Sequence, residues 1–93
     1  MFIVKTNTHF DKLMKVLSKR YFELPDIYVE AVEILEEDPY NLSKRFNIKK
    51  LTDVTDGLGK FRLRLGRWRF RYNVSGNAVI FYYCGIRSED TYG

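Results

Sequence analysis

The chain has 93 residues, a length that suits one domain and leaves no room for two. With 45% hydrophobic and 16% aromatic residues, it is too apolar for a disordered tail and is expected to fold around a packed core. The net charge of +4 favours a partner such as nucleic acid, an acidic protein or an anionic surface, although many small basic proteins have no polyanionic ligand.

Cysteine and histidine are too few for the sites that they usually build. One cysteine, Cys84, excludes an internal disulfide, and together with the one histidine, His9, it cannot supply a metal site of the usual nitrogen and sulfur type. The first residues contain neither a long apolar segment nor a small-residue cleavage site, and no run is long enough to span a bilayer. We therefore expect a cytoplasmic protein that uses no metal and no cofactor.

The N-terminal part of the chain predicts a strand followed by a helix. Residues 2–4 are β-prone, and Thr8 with Asp11 three residues later has the pattern of a helix N-cap. The apolar residues that follow recur at helical spacing and define one buried face, which comprises Phe10, Leu13, Met14 and Leu17.

A second helix is predicted to begin near Leu24–Pro25 and to end before Pro39. Its buried face is expected to consist of Ile27, Ala31, Ile34 and Leu35. The acidic run at residues 36–38 opposes the helix dipole in the last turn, so we interpret it as a solvated helix end.

Residues 40–58 show no clear periodicity and are predicted to form a basic connecting loop, in which residues 48–51 are a candidate strand. The cations of this loop are either phosphate contacts or solvated loop residues, and they are Lys44, Arg45, Lys49 and Lys50.

The last third of the chain consists of β-rich runs at residues 61–65, 68–74 and 79–84. Gly66-Arg67 fits a two-residue hairpin turn between the first two runs. The predicted order is β-α-α-β-β-β, a single α+β domain over residues 1–93 whose two N-terminal helices pack on one face of an antiparallel sheet.

The stretch FRLRLGRWRFRY, residues 61–72, holds five arginines in twelve residues. With Gly66 and Arg67 in the turn, strand alternation separates its other side chains onto two faces. The face toward the core carries Phe61, Leu63, Leu65, Trp68, Phe70 and Tyr72. The opposite face carries two directly opposed arginine pairs, Arg62 with Arg71 and Arg64 with Arg69.

Opposed like charges destabilise a sheet by up to about 1 kcal/mol per pair, and no acid nearby in the sequence cancels these four. Arginine stems that lie along the sheet, bridged by acids from elsewhere in the fold, are one explanation. We favour a face that binds a polyanion, because the guanidinium fork matches the geometry of phosphate.

The next strand extends this surface. Continued alternation places Val79, Phe81 and Tyr83 on the core face. It places Ile80, Tyr82 and Cys84 on the arginine side, where Tyr82 is a candidate to stack on a base. Arg87 follows as a further cation close to the same surface, and Tyr92 lies at its edge.

With these features, the sequence resembles the RelE/ParE toxin superfamily. The resemblance covers nearly the whole chain: the early strand, two helices ending at Asp38-Pro39, a basic loop, the arginine-rich hairpin and the closing segment GIRSEDTY. It implies a small α+β toxin that pairs with a cognate antitoxin. RelE-type members are metal-independent endoribonucleases that cut mRNA in the ribosomal A site by helping the ribose 2′-hydroxyl attack the adjacent phosphate.

By position, the resemblance assigns catalytic roles to Arg62, Arg64, Arg69, Arg87 and Tyr92. Guanidinium groups would stabilise the negative charge that builds on the phosphate. Tyr92 would be the general base, unless it is a hydrophobic tail residue that docks on the sheet. Arg71, Tyr82 and the loop cations are expected to contact RNA. Since the set contains no His or Glu, we expect a weak stand-alone nuclease that depends on the ribosome to orient the mRNA.

Two alternatives remain. ParE-type members inhibit DNA gyrase by protein binding, and a degenerate member would bind nucleic acid without cleaving it. Retention of both Arg87 and Tyr92 favours RNA cleavage over gyrase inhibition, whereas only activity separates a nuclease from a binding module. In each case an antitoxin is expected to lie across the helices or the basic face.

Overall fold

The computed structural model describes residues 1–52 and 59–87. In chain order its elements are β1 (Ile3–Thr6), α1 (Thr8–Arg20), α2 (Leu24–Glu37), β2 (Ile48–Lys50), β3 (Phe61–Leu65), β4 (Trp68–Ser75) and β5 (Ala78–Ile86). The strands form one sheet in the order β1-β5-β4-β3-β2. Within the described ranges, no helix is long and apolar enough to cross a membrane.

The predicted α+β fold with two N-terminal helices is confirmed, and two details of the sheet are added. The candidate strand of the basic loop is a real strand, β2, which pairs antiparallel with β3. The first strand, β1, runs parallel to β5, so the sheet is mixed and mostly antiparallel. Because β1 is four residues long and distant from β5 in the sequence, no local pattern identifies its partner.

The N-cap of α1 is Asn7, whereas the sequence pattern predicts Thr8. Asn7 has an extended backbone, and its Oδ1 accepts a hydrogen bond from the amide of Phe10 at 2.8 Å. Thr8 is already the first residue of the helix. Both residue types are good caps, so the preference between neighbours is decided by backbone geometry.

The core lies between the helices and one face of the sheet. Phe10 of α1 stacks on Phe81 of β5, with ring centroids 4.8 Å apart, and contacts Phe70 and Tyr28 at tilted angles. Ile27 and Ile34, predicted for the buried face of α2, are only partly buried at its margin. The fully buried side chains that α2 contributes are Leu24, Ala31 and Leu35.

The end of α2 differs from the solvated end predicted for the acidic run. Asp38 is 8% exposed, and its carboxylate accepts hydrogen bonds from the amides of Leu42 and Ser43 and from the Ser43 hydroxyl at 2.7–3.0 Å. These bonds, led by the one from the Ser43 hydroxyl, lower the pKa of Asp38. Asp38 therefore organises the turn that follows the helix, a local competition between side chain and backbone that periodicity does not reveal.

Candidate functional site

The β3–β4 hairpin has the predicted register. Gly66 occupies the turn with a φ of 60°. Cross-strand pairs extend from Phe61 with Tyr72 to Leu65 with Trp68 and include both predicted arginine pairs. The apolar face is buried against the helices, where Leu63, Phe70 and Tyr72 have no exposed surface. The opposite surface, here called the arginine face, carries Arg62, Arg64, Arg69 and Arg71.

The neighbouring strands extend the arginine face into two rows that run across the sheet. The first row is Lys49 of β2, Arg62 of β3, Arg71 of β4 and Tyr83 of β5. The second row is Arg64, Arg69 and Gly85. In the first row, three cations on three adjacent strands are therefore cross-strand neighbours, and an aromatic ring on the fourth strand ends the row.

The positions of Tyr83 and Cys84 correct the sequence prediction. A register shift between Arg71 and Tyr72 leaves Tyr82 as an extra residue in β5, which is a β-bulge. Tyr83 therefore lies opposite Arg71 on the arginine face, and Cys84 turns into the core with 1% exposure. Strict alternation had given the reverse, because one inserted residue exchanges the faces of everything beyond it.

Gly85 provides the space that Tyr83 occupies. A methyl group at residue 85 would overlap the hydroxyl of Tyr83 and would lie 2.8 Å from the ring carbon that bears it. Since Gly85 pairs with Arg69, the tip of the tyrosine lies beside the second row of the face. A glycine inside a strand is a known signal of such a close approach, and it is the one sequence feature that pointed to this arrangement.

The arginine face contains a cleft of about 350 Å³, lined by Leu51, Arg62, Arg69, Arg71 and Tyr83. Among the described residues, no carboxylate lies within ion-pair distance of Arg64, Arg69 or Arg71. The Nε atoms of Arg64 and Arg71 are also buried without a hydrogen-bond partner in this part of the chain. Within the described ranges, therefore, no acid from elsewhere in the fold neutralises the charges of Arg64, Arg69 and Arg71.

The segment before β3 holds Arg71 in place. Gly59 has a φ of 85°, and its carbonyl oxygen accepts a hydrogen bond from Nη2 of Arg71 at 2.8 Å. A Cβ at this position would lie 2.7 Å from the amide nitrogen of Tyr72. The next amide, that of Lys60, donates to Oδ1 of Asn73 at 2.6 Å. Only a glycine permits this approach to β4 at the position of the bulge.

The other predicted RNA contacts are dispersed. Lys50 lies opposite Phe61, whose ring belongs to the apolar side. Arg45 pairs with Glu37 at 2.8 Å and covers the ring of Phe46. Lys44 is exposed in the loop. Of the four loop cations, Lys49 alone belongs to a row of the arginine face.

The fifth arginine of the hairpin, Arg67, is directed away from the arginine face. It forms an ion pair with Glu23, and its guanidinium lies 5.2 Å from the ring centroid of Tyr21. The hydrogen bond from Arg67 is the main cause of a lowered pKa of Glu23. Arg67 therefore attaches the hairpin turn to the start of α2.

The C-terminal candidates lie beyond β5. The amide of Arg87 donates to the carbonyl of Arg67 at 2.8 Å, which continues the pairing of β5 with the hairpin, and its side chain is exposed. Alternation from Gly85 assigns it to the same side as the arginine face. Tyr92 lies outside the described residues. In the part of the chain that is described, no three His, Cys, Asp or Glu side chains are close enough to hold a metal ion.

Comparison with known proteins shows a structural likeness that covers nearly the whole chain. No protein-family model matches the chain, and no curated protein matches it. A chain in the crystal structure of the archaeal RelE–RelB complex from Pyrococcus horikoshii OT3 is similar in structure, with a TM-score of 0.67 and 26% sequence identity. The likeness covers 95% of this chain and 97% of that one. The resemblance inferred from the sequence is thus confirmed: the chain belongs to the RelE-like toxin superfamily.

Proposed function

We propose that this protein is the toxin of a type II toxin–antitoxin pair and that it is a ribosome-dependent, metal-independent mRNA endonuclease. The observation that carries the proposal is the cleft on the arginine face. Three half-buried arginines line a space of about 350 Å³, and for two of them, Arg69 and Arg71, no carboxylate among the described residues lies within ion-pair distance. Such a site gains most from an anion that accepts several hydrogen bonds at once, and a phosphodiester is that kind of ligand.

The proposed reaction is transesterification within the mRNA. The ribose 2′-hydroxyl gives its proton to a base, and its oxygen forms a bond to the adjacent phosphorus. The bond from phosphorus to the 5′-oxygen breaks, and the 5′-oxygen takes a proton from water, so that a cyclic phosphate and a 5′-hydroxyl end result. Negative charge increases on the phosphate oxygens in the transition state. Arg62, Arg64 and Arg69 would stabilise that charge from preorganised positions, which lowers the barrier without proton transfer because arginine stays protonated.

Proton transfer requires other groups. The resemblance assigns Arg87 to the scissile phosphate and Tyr92 to the 2′-hydroxyl as general base. A tyrosine with an ordinary pKa of about 10 is a poor base at neutral pH, so neighbouring cations would have to lower that pKa. The ribosome would contribute by holding the mRNA in the reactive geometry.

RNA outside the scissile bond would contact the margin of the face. Lys49 and Arg71 lie in the first row and suit backbone phosphates. Tyr82, in the bulge of β5, remains a candidate for stacking. Lys44, Arg45 and Lys50 are proposed only as peripheral contacts with the mRNA or the ribosome, since they lie outside the rows.

The proposed protein partner is a cognate antitoxin. The similar solved structure is a RelE–RelB complex, which supports a partner of this kind. The helix layer here exposes three apolar side chains, Val16, Phe22 and Val29, at 66%, 91% and 55%. They would offer an antitoxin helix an apolar surface on the side away from the arginine face.

The test is induced expression of the wild type beside Arg69→Gln, Arg87→Ala and Tyr92→Phe, with growth followed and mRNA 5′ ends mapped. Arg20→Gln is the matched control, because it removes the same charge from an exposed position on α1. We expect growth arrest with new 5′ ends inside translated codons for the wild type and for Arg20→Gln. Arg69→Gln and Arg87→Ala should abolish both, and Tyr92→Phe should reduce cleavage.

Two results would contradict this proposal. Growth arrest without mRNA cleavage would redirect the search to DNA gyrase. A folded wild-type protein that causes no arrest would be a binding module, and the arginine face would then need a different anion.

A further inference from the structure

Tyr83 occupies a position on the arginine face that the proposed chemistry leaves without a role. It ends the row of Lys49, Arg62 and Arg71, and it lines the cleft. Its neighbour Gly85 has no side chain, and the tip of the tyrosine ring fills the vacant space beside Arg69. The ring is half-buried, so part of it remains accessible from the cleft.

We infer that Tyr83 is a positioning residue that stacks on a base of the bound RNA, next to the phosphate held by Arg62, Arg69 and Arg71. This inference rests on the proposed function and deepens it. Single-stranded RNA is recognised through unstacked bases that pack on aromatic rings while cations follow the backbone. The first row provides both groups in the required order, because a ring directly follows the cations.

The β-bulge is the feature that makes this possible. Without the extra residue at Tyr82, residue 83 would face the core, and the cleft would have no aromatic wall opposite Arg71. Gly85 then lets the ring lie along the strand instead of standing out into the cleft. Space for a nucleotide and an aromatic surface beside it are therefore produced together.

A merely structural role for Tyr83 makes a different prediction. If the ring only filled the space above Gly85, its loss would lower the affinity of the arginine face for every ligand equally or would unfold the protein. A stacking role concerns the base alone. An RNA backbone that lacks bases should still bind through the arginines.

The experiment measures binding of two labelled probes to the isolated protein at low salt by fluorescence anisotropy. One probe is a short single-stranded 2′-O-methyl oligoribonucleotide, which cannot be cleaved by its own 2′-oxygen. The other has the same backbone with abasic residues. The variants are Tyr83→Leu, Tyr83→Phe, Gly85→Ala and Tyr82→Leu. Tyr40→Leu is the matched control, because it makes the same change at an exposed tyrosine that follows α2.

We expect the wild type to bind the base-containing probe at least about fivefold more tightly than the abasic probe, the lower end of stacking on one aromatic ring. Tyr83→Leu should remove that difference and leave the affinity for the abasic probe unchanged. Gly85→Ala should do the same, because the added methyl group displaces the ring. Tyr83→Phe and Tyr40→Leu should retain the difference.

The inference is overturned if Tyr83→Leu keeps the full difference in affinity between the two probes or lowers the affinity for both probes equally. It is also overturned if Tyr82→Leu alone removes the difference in affinity. In those cases binding of the abasic probe by the arginine face would still support the proposed function. A folded wild type that binds neither probe would overturn this inference, whereas the proposed function would still be decided by the expression test, in which the ribosome is present. Circular dichroism of each variant separates loss of binding from loss of folding, and Gly85→Ala tests the ring position without removing the ring.

Discussion

Tyr72 shows how one side chain connects the sheet to the helix layer. Its ring is fully buried, and its hydroxyl donates a hydrogen bond to the carbonyl of Pro39, just after α2, at 2.6 Å. Burial is the main cause of a raised pKa of this phenol, and the charge of Asp38 acts in the same direction. Tyr72 therefore remains a hydrogen-bond donor at neutral pH.

Replacement of Tyr72 by Phe should lower the free energy of unfolding by about 1 kcal/mol, because the buried carbonyl of Pro39 loses its donor. Urea denaturation at neutral pH measures the difference. Tyr40→Phe is the control, since the side chain of Tyr40 is 48% exposed. Equal stability of Tyr72→Phe and wild type would show that water replaces the lost bond.

Asp38 makes a pH-dependent contribution to stability. Its folded-state pKa lies below the ordinary value of 3.8, chiefly because of the hydrogen bond from Ser43. Above that ordinary value both states carry the ionised carboxylate, and the stabilisation is complete. As the pH falls through it toward the folded-state pKa, the unfolded state binds the proton first, and the stabilisation is lost.

Asp38→Asn should therefore be less stable than the wild type at neutral pH, and the gap should narrow as the pH is lowered through the ordinary carboxyl range. Urea denaturation at a series of pH values measures it. Glu33→Gln, which changes an exposed acid of α2, should run parallel to the wild type. A gap that is constant with pH would assign the effect of Asp38→Asn to shape and not to charge.

At the scale of elements, the β3–β4 hairpin combines a stable apolar face with a repulsive cationic one. Arg64 lies directly opposite Arg69, and like charges in such pairs oppose sheet formation. In contrast, Arg67 in the turn has an acidic partner, Glu23. The hairpin therefore has one arginine with an acidic partner, Arg67, and one opposed pair, Arg64 with Arg69, that is expected to cost stability.

Arg64→Gln should raise the free energy of unfolding by up to about 1 kcal/mol while it weakens RNA binding, because one change relieves repulsion and removes a proposed phosphate ligand. Arg67→Gln is the matched control in the same hairpin and should not raise stability. Urea denaturation and oligoribonucleotide binding give the two readouts. If Arg64→Gln lowered stability, its charge would have to be compensated within the fold.

The segment that leads into β3 contains a glycine, Gly59, whose role differs from that of Gly66 in the hairpin turn. Gly59 and Gly66 both have positive φ, but a Cβ at Gly66 would meet open space. A Cβ at Gly59 would meet the backbone of β4. The energetic cost of a side chain at positive φ can thus be measured separately from the cost of steric overlap with β4.

Gly66→Ala should cost about 1–2 kcal/mol for the left-handed backbone alone. Gly59→Ala should cost clearly more, because strand β4 must also move, and with it the Arg71 guanidinium that Gly59 binds. Urea denaturation of both variants measures the difference. Equal costs would mean that the segment moves away from β4 without strain.

At the scale of the whole molecule, the thiol of Cys84 reports on the sheet register. If β5 were regular, Cys84 would lie on the arginine face and react with solvent reagents. With the bulge, it lies in the core, and burial raises its pKa to about 12. The reactivity of one atom therefore distinguishes the two registers.

In the native protein, Cys84 should resist alkylation at mildly alkaline pH, and labelling should increase with urea along the same curve as unfolding measured by circular dichroism. Mass spectrometry of the alkylated protein gives the extent of reaction. Rapid native-state labelling would contradict the bulge and would return Tyr83 to the core. The stacking role inferred for Tyr83 would fail with it.

The sequence by itself determined the hairpin, its register and the separation of Phe61, Leu63 and Phe70 from the arginines. Alternation between the faces of a strand is a local property, and the glycine of the turn establishes the pairing. The helices and their main apolar faces followed from periodicity for the same reason. The superfamily was recognisable because this local pattern extends over nearly the whole chain.

Four features became known only from the tertiary structure. They are the bulge in β5, the parallel pairing of β1, the contact of Gly59 with β4, and the hydrogen bonds that Asp38 accepts from the turn after α2. Each depends on a partner that is distant in the sequence or on the choice between equivalent local hydrogen bonds. One extra residue in β5 is invisible to alternation until the partner strand is present. That residue placed Tyr83 beside Arg71 and Cys84 in the core, and so it determined which aromatic ring lines the cleft.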